Sequence, residues 1–571
     1  MLVGPVQEDL SLSERSVPRA PQRDGAVVAV PPLRETGALL TINRQRLHDC
    51  AERLLLLGRP FAELRRHARQ SAVAAALQYL GPNASGEIRN ANAETLLVAG
   101  HQPELFHPGV WVKNFALCGL ARAHGATPLN LVIDNDTVKT TALRIPVKKV
   151  SGTDSRETSP DPFFRRMVRF DHWSGETPYE ERGILDCELF ASFAARAGEL
   201  LHGWDYQPML ADFWKEVLRQ AERTSNLGAC FAAARLTFER AWGCHNLEVP
   251  LSKVCGTEPF AWFAVHLLTN LPHFHSLYNK IVADYRRRHG IRSRYHPVPD
   301  LAIEGDWLEA PFWVWRTGAA RRERLFVRLT TDALELRAGD RFMVSRDPKG
   351  TATVALPFGS RLNEATVSAW QDLAAHGFKV RSRALTTTLY VRLFLADLFI
   401  HGIGGGKYDE LTDELMRRFY QCEPPEFIVL SATRWLPLPR AAVTPDDCRR
   451  LRRELRDVHY NPQRHLDAIA DRRDTDSIWD ELARRKQQWI ARRPATRMER
   501  RERFRTLRAI TDELRRPLQP REEQLRQQLL LCQQQLRANA VLQRRDYAFC
   551  LFPADVLRPF CSQFLTAPDW C

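Results

Sequence analysis

Residues 94–136 read ETLLVAGHQPELFHPGVWVKNFALCGLARAHGATPLNLVIDND, and this stretch decides the fold. TLLVAG is a short, continuously apolar run, the composition of a strand covered on both faces. A Gly-containing loop follows, then a helix over Val110–His124, then a second apolar run, PLNLVIDND. Strand, loop, helix and strand in that order make the βαβ unit of a parallel sheet. The expected fold class is therefore α/β, with a Rossmann-like parallel-sheet core.

Working outward, residues 36–93 form an N-terminal helical segment with apolar spacing at Leu47, Leu54, Leu55, Phe61 and Leu64, closed by Gly81-Pro82. Residues 1–35 read as a flexible lead-in without the basic and apolar regions of a secretory signal. The core is expected over 94–440, carrying a mostly helical insertion at 150–245 that opens with the polar loop SGTDSRETSPDP. Later in the core, PFWVWR and RLFVRLT alternate like paired strands, and 380–440 returns to α/β character. There RSRALTTT is followed by an apolar helix, the loop HGIGGGK, another helix and the strand EFIVLSA. From 441 to 571 the chain is strand-poor. Phe504, Leu507, Ile510 and Leu514, then Leu525, Leu529, Cys532 and Leu536, give a/d seams interrupted at Pro517 and Pro520. A basic helical coiled-coil arm, and a homodimer formed through it, are expected.

Composition narrows the function classes. With 571 residues, 44% hydrophobic and 26% charged, the chain lies outside the disordered and disulfide-rich classes. No stretch reaches the roughly 18 apolar residues of a membrane span. Twelve cysteines never fall at C-x2-C spacing, and His273, His275 and His296 lack a carboxylate or thiol at ligand spacing. Neither zinc nor haem is expected, and scattered single cysteines suit a reducing cytoplasm. The net charge is +14, and residues 441–571 hold 27 Lys and Arg against 19 Asp and Glu. Nucleic acid is thus a possible partner. A solvated Arg-rich helix is favoured over it, because acids are interspersed and no aromatic stacking pattern accompanies the bases.

Three loops could carry chemistry. In the first, His101, Gln102, His107 and Lys113 stand between a strand end and a helix start, where a phosphate or carboxylate is held, and Gly100 and Gly109 would let backbone approach it. In the second, Asp134 and Asp136 lie two apart on an extended segment, suited to Mg²⁺, a ribose hydroxyl or a substrate ammonium. In the third, Gly404, Gly405, Gly406 and Lys407 would cradle an anion, without the spacing of a Walker loop. Arg392, Asp397 and Tyr390 either point to the same cleft or pair with one another. Trp313 and Trp315 on an alternating strand read as packing, and Cys118 as core.

Taken together, G100-H-Q-P-E-L-F-H-P-G-V-W, I133-D-N-D, I403-G-G-G-K and the terminal A540-V-L-Q-R-R-D resemble the bacillithiol-biosynthesis cysteine-adding enzyme family. The resemblance covers 90–150, 380–435 and the arm. It implies a nucleotidyl-transferase-type core, dimerisation through the arm, and ligation of cysteine to a glucosaminyl-malate amine. Gln102, Leu105, Phe106, Asp134 and Asp136 match the family's pattern. His101 stands where it has Gln, Glu104 where it has Gly, and Lys407 where it has an acid. The expected function is a ligase or nucleotidyl-transferase-type enzyme using ATP or ADP, with or without Mg²⁺, to join a small carboxylate to an amine. His101 would be general base and Asp134 or Asp136 would hold the amine or metal. The alternative is a catalytically degenerate protein whose basic arm binds nucleic acid or a partner.

Overall fold

The apolar run at 96–101 forms a strand that is buried on both faces, as its composition demands. Numbering core strands in chain order, β1 is Val27–Val30, β2 Leu96–His101, β3 Thr127–Val132, β4 Leu247–Pro250, β5 Leu398–His401 and β6 Phe427–Ala432. They form one sheet in the order β1-β6-β5-β2-β3-β4. β1 runs antiparallel to β6, and every other neighbouring pair is parallel. The molecule is thus mixed α/β about a largely parallel sheet. This computed structural model describes residues 18–81, 91–148, 163–292, 298–339, 354–357, 359, 363–466 and 476–566. Residues 1–17 of the expected lead-in, the whole polar loop at 151–162 and His296 lie outside the described residues.

Helices α1 (Thr36–Ala51), α2 (Phe61–Leu80) and α3 (Pro108–Ala123) flank the sheet, and α3 is the crossover between β2 and β3. Side chains alternate along each strand, so the sheet feeds two apolar cores. Leu96, Val98, Leu129, Leu131, Phe399 and Val429 pack on α2, on helices Glu258–Thr269 and Leu271–Arg288, and on a second sheet. Leu97, Ala99, Ile400, Ile428 and Leu430 pack on α3, on helices between 187 and 241, and on the C-terminal residues 547–565. Each such large apolar side chain contributes roughly 1.5–3 kcal/mol on burial.

The second sheet is antiparallel, running Val354–Pro357, Ala333–Ala338, Glu323–Leu329, Trp307–Arg316 and Phe378–Ser382. The expected pairing of PFWVWR with RLFVRLT is present, with Trp313 opposite Arg324. Phe378–Ser382 belongs to this sheet rather than to the parallel core.

Several expectations are corrected. Residues 27–30, placed in a flexible lead-in, are an edge strand of the core sheet, and Asp24 accepts the Trp435 amide at 2.7 Å. The expected apolar helix before HGIGGGK ends early. Helix Ala384–Tyr390 runs into a π turn at Val391–Leu395 and then into β5. The cause is Asp397, which accepts the Leu96 amide at 2.7 Å and pairs with Arg65 and Arg69 of α2, turning the chain onto the sheet edge of β2. The third loop therefore follows a core strand. The cysteines are not all separate, because disulfides Cys50–Cys422 and Cys448–Cys532 are present.

In the arm, helices Pro445–Tyr460 and Gln519–Leu542 pack together, as do Asp476–Ala491 and Arg497–Arg515. Thr444 and Thr496 start their helices with reciprocal capping boxes. Ile510, Leu514, Leu518 and Leu525 join Val458 and Leu466 in a third, smaller core. Phe504, expected in the same seam, is 65% exposed. Pro520 sits in the first turn of its helix, where its missing N–H costs no hydrogen bond. Residues 543–566 leave the arm and return to the core, where the Phe549 amide donates to the Phe106 carbonyl. Among the described residues, no helix is long and apolar enough to cross a membrane.

Candidate functional site

The order β6-β5-β2-β3-β4 has a reversal between β5 and β2: the chain advances from β2 to β4 on one side, then jumps back to β5 and β6 on the other. Ligands of open α/β sheets bind beyond the carboxyl ends of the strands at such a point. A cavity of roughly 830 Å³ opens there, lined by His101 and Gln102 after β2, Asn135 and Asp136 after β3, and His401–Gly405 after β5. The three sequence-distant loops converge in it.

In the first loop the structure brings Gly100, His101, Gln102, His107, Gly109 and Lys113 to the cavity. His101 Nδ1 lies 3.1 Å from the Gln102 carbonyl; with a proton there, Nε2 is left as the basic atom. Burial, then the nearby Lys113 charge, hold this imidazole well below its ordinary pKa, so it is neutral near pH 7. Lys113 is 3% exposed and donates to the Gly100 carbonyl at 3.3 Å. Burial lowers its pKa to about 8. His107 is lowered to about 4 by burial and by Arg545, and its Nδ1 is buried without a partner among the described residues. The glycines serve packing more directly than ligand approach. A Cβ on Gly109 would stand 2.0 Å from the Ala432 carbonyl oxygen, and one on Gly100 would stand 3.1 Å from Leu131 Cβ.

In the second loop the two carboxylates diverge. Residues 134–136 form a turn rather than an extended segment, so a spacing of two no longer places them on one side. Asp134 leaves the cavity and accepts the Ser252 amide at 2.9 Å and the Ser252 hydroxyl at 2.5 Å, capping helix Leu251–Val254. Burial raises its pKa to about 6. Asp136 lines the cavity, accepts from Gln102 Nε2 at 2.9 Å and from the Thr137 amide at 2.8 Å, and pairs with Arg322 at 3.0 Å.

In the third loop Gly404 and Gly405 reach the cavity wall, whereas Gly406 packs on Val429 and Lys407 is exposed and outside it. The loop's strongest group is one that sequence reasoning passed over. His401 ends β5, lines the cavity and bonds Asp409 Oδ2 through Nε2 at 2.8 Å. Burial opposes the charge on Asp409, but Arg392 at 2.7 Å and His401 prevail and hold its pKa at about 2. Arg392 also pairs with Asp413. His401 is thus oriented by an ionised carboxylate that is itself fixed from behind. Arg392, Asp397 and Tyr390 do not line the cavity.

The remaining wall is cationic, and it too was missed. Arg322 and Arg383 both lie over the Trp313 ring, at 4.5 and 4.1 Å from its centroid. Trp313 is therefore a cavity residue rather than simple packing. Arg545, from the segment that returns after the arm, donates to the Ser431 hydroxyl at 2.9 Å and the Ala432 carbonyl at 3.1 Å. The Nε atoms of Arg383 and Arg545 are buried without a partner among the described residues. The only sequence signal for these arginines was the R-R-D of the terminal motif.

Lys113, Lys139, Arg322, Arg383 and Arg545 line the cavity, with Asp136 as the one carboxylate among its described lining residues; Lys139 pairs with Glu176, Arg322 with Asp136 and Arg383 with Glu309, whereas Lys113 and Arg545 make no ion pair with a described residue. The arrangement suits a multiply charged anion. It does not suit a protein-held Mg²⁺, because Asp136 is already bonded on both oxygens and paired with Arg322. Among the described residues no group of three or more His, Cys, Asp or Glu is placed to hold a metal ion. His275 bonds the Ala302 carbonyl and His273 stacks on Phe419, both structural roles. No protein-family model matches the chain, and no curated protein matches it.

Proposed function

We propose that this chain is an enzyme that binds an anionic, activated small carboxylate in the sheet-mouth cavity and joins it to an amine. The observation that carries this reading is the convergence of the loops at 101, 136 and 401 on one cavity with a cationic wall. In this reading the core is Rossmann-like, the arm is a coiled coil that pairs two copies, and the chain is a divergent relative of the bacillithiol-biosynthesis cysteine-adding enzymes. Cysteine is then a candidate carboxylate, and an amino sugar a candidate acceptor.

Amide formation from a free carboxylate is uphill in water, and a bound ATP would supply the phosphoryl or adenylyl activation. Lys113 and Arg545, beside the first turn of α3, would hold its phosphates, and any Mg²⁺ would arrive on those phosphates rather than on protein ligands. Arg322 and Arg383, stacked on Trp313 and held by Asp136 and Glu309, would turn their remaining N–H groups to the carboxylate partner. Two histidines can accept the amine proton. His401, oriented through Nε2 by Asp409, would take it through its other ring nitrogen. His101, held neutral, acts as a hydrogen-bond acceptor through Nε2. The Gln102 side-chain oxygen, whose amide nitrogen is anchored on Asp136, would accept from the incoming ammonium before it loses its proton.

Isothermal titration of the whole chain with ATP and with ADP, each with Mg²⁺, tests the reading. Sub-millimolar binding that is lost in Arg545→Ala is expected. Absence of binding at millimolar nucleotide would overturn it.

A further inference from the structure

The arm carries a surface that the cavity does not use. On helix Arg497–Arg515, Arg497, Arg501, Arg505 and Arg508 recur at steps of four, four and three, so they share one face, with Arg500 beside them. They line an open hollow together with Phe504, Ala509 and Asp512. All five arginines are exposed. Arg497, Arg500, Arg501 and Arg505 make no ion pair with any described residue, and Arg508 reaches only Asp512, at 3.9 Å. The acids Glu499, Glu502 and Glu513 fall on other sides of the helix at 100° per residue, and Ile510 and Leu514 face the arm's own core. Five guanidinium groups along about 16 Å of helix repel one another at physiological salt unless something anionic lies on them.

At the centre of this face stands Phe504, 65% exposed, with Arg500 and Arg501 one turn before it and Arg508 one turn after. A face evolved only for solvation has no use for an exposed benzyl ring framed by arginines. A basic groove interrupted by an aromatic side chain is the arrangement that holds an unpaired strand, phosphates on the cations and a base on the ring. A second copy of this chain is disfavoured here, since a two-fold contact would set arginine against arginine. A membrane surface needs a continuous apolar stripe, and on this face Phe504 has none. We propose that the Arg497–Arg508 face binds single-stranded nucleic acid, with one base stacked on Phe504. The proposal is independent of the cavity's chemistry.

Fluorescence anisotropy of the whole chain with labelled oligouridylate tests it, beside a duplex of equal length and phosphatidylserine vesicles. If about four arginines displace counter-ions, a threefold rise in salt weakens single-strand binding about 20-fold. Arg501→Glu with Arg505→Glu should abolish binding. Phe504→Ala should weaken it about tenfold while leaving the salt slope unchanged. All three positions are exposed, and an unchanged helical circular dichroism signal shows that the arm still folds. No binding, binding of vesicles alone, or duplex binding that ignores Phe504→Ala would each overturn the proposal.

Discussion

Lys113 is a cation in a place that penalises one. Its pKa of about 8 lies below the ordinary lysine value because burial disfavours the charge, and no carboxylate partner offsets this among the described residues. A base whose pKa falls on folding destabilises the folded chain wherever it must be protonated. The penalty is fully present below about pH 8 and fades as pH rises toward the unfolded value. It amounts to about 3 kcal/mol at neutral pH. A bound anion reverses the sign, since it stabilises the protonated form. Affinity for an anionic ligand should therefore fall as pH rises above about 8, with proton uptake on binding over that same range and little below it. Lys113→Met should raise the melting temperature of the free chain, reduce anion affinity tenfold or more at pH 7, and flatten its dependence between pH 7 and 9. Calorimetric titration in buffers of different ionisation enthalpy, with a thermal melt of each variant, reads all three. A variant that melts lower and binds as before would place Lys113 in the structure only.

Among the elements, the two ends of the site differ in what their glycines do. Gly109, in the first turn of α3, faces the Ala432 carbonyl, where a Cβ would come to 2.0 Å, with Arg545 Nη2 at 2.9 Å. A backbone oxygen cannot step aside, so Gly109→Ala should push α3 off β6 and cost several kcal/mol, read as a large drop in melting temperature. Gly404 lies in the short helix Ile403–Gly406, meets nothing within 4 Å and has no positive φ, so Gly404→Ala should stabilise that helix by up to about 1 kcal/mol. Because Gly404 lines the cavity, the same change should weaken ligand binding if the ligand rests on that backbone. The β2–α3–β3 unit was legible because short fully apolar strands on either side of a longer, continuously apolar helix leave a strong local pattern. The Asp134–Asp136 pair misled because spacing implies a shared face only in extended backbone, and the chain turns there. β5 was hidden inside an apolar run whose boundary is set by Asp397 and the two arginines of α2, more than three hundred residues earlier in the chain.

At the scale of the whole molecule, the cavity is assembled from segments that local pattern cannot connect. Arg322 comes from just before the second antiparallel strand, Arg383 from the end of the second sheet, and Arg545 from the return of the chain after the arm. Sequence showed three loops and a βαβ unit carrying the first two, but the strand order and the cationic wall exist only after tertiary closure. The same closure brings the cysteines together, and their placement predicts how the molecule comes apart. Cys50–Cys422 joins the end of α1 to the segment before β6, across 372 residues, whereas Cys448–Cys532 joins two helices of the arm across 84. In the loop-entropy account the longer closure stabilises by roughly 1 kcal/mol more. Its loss also frees α1 beside the sheet that carries the cavity. Cys50→Ser should therefore lower the main calorimetric transition and weaken anion binding as the sheet loosens. Cys532→Ser should loosen the arm, raise its backbone amide exchange, and leave anion affinity unchanged. If Cys532→Ser alone lowered anion affinity, Arg545 would owe its position to the arm helices, and the cavity and the arm would be one cooperative unit rather than two.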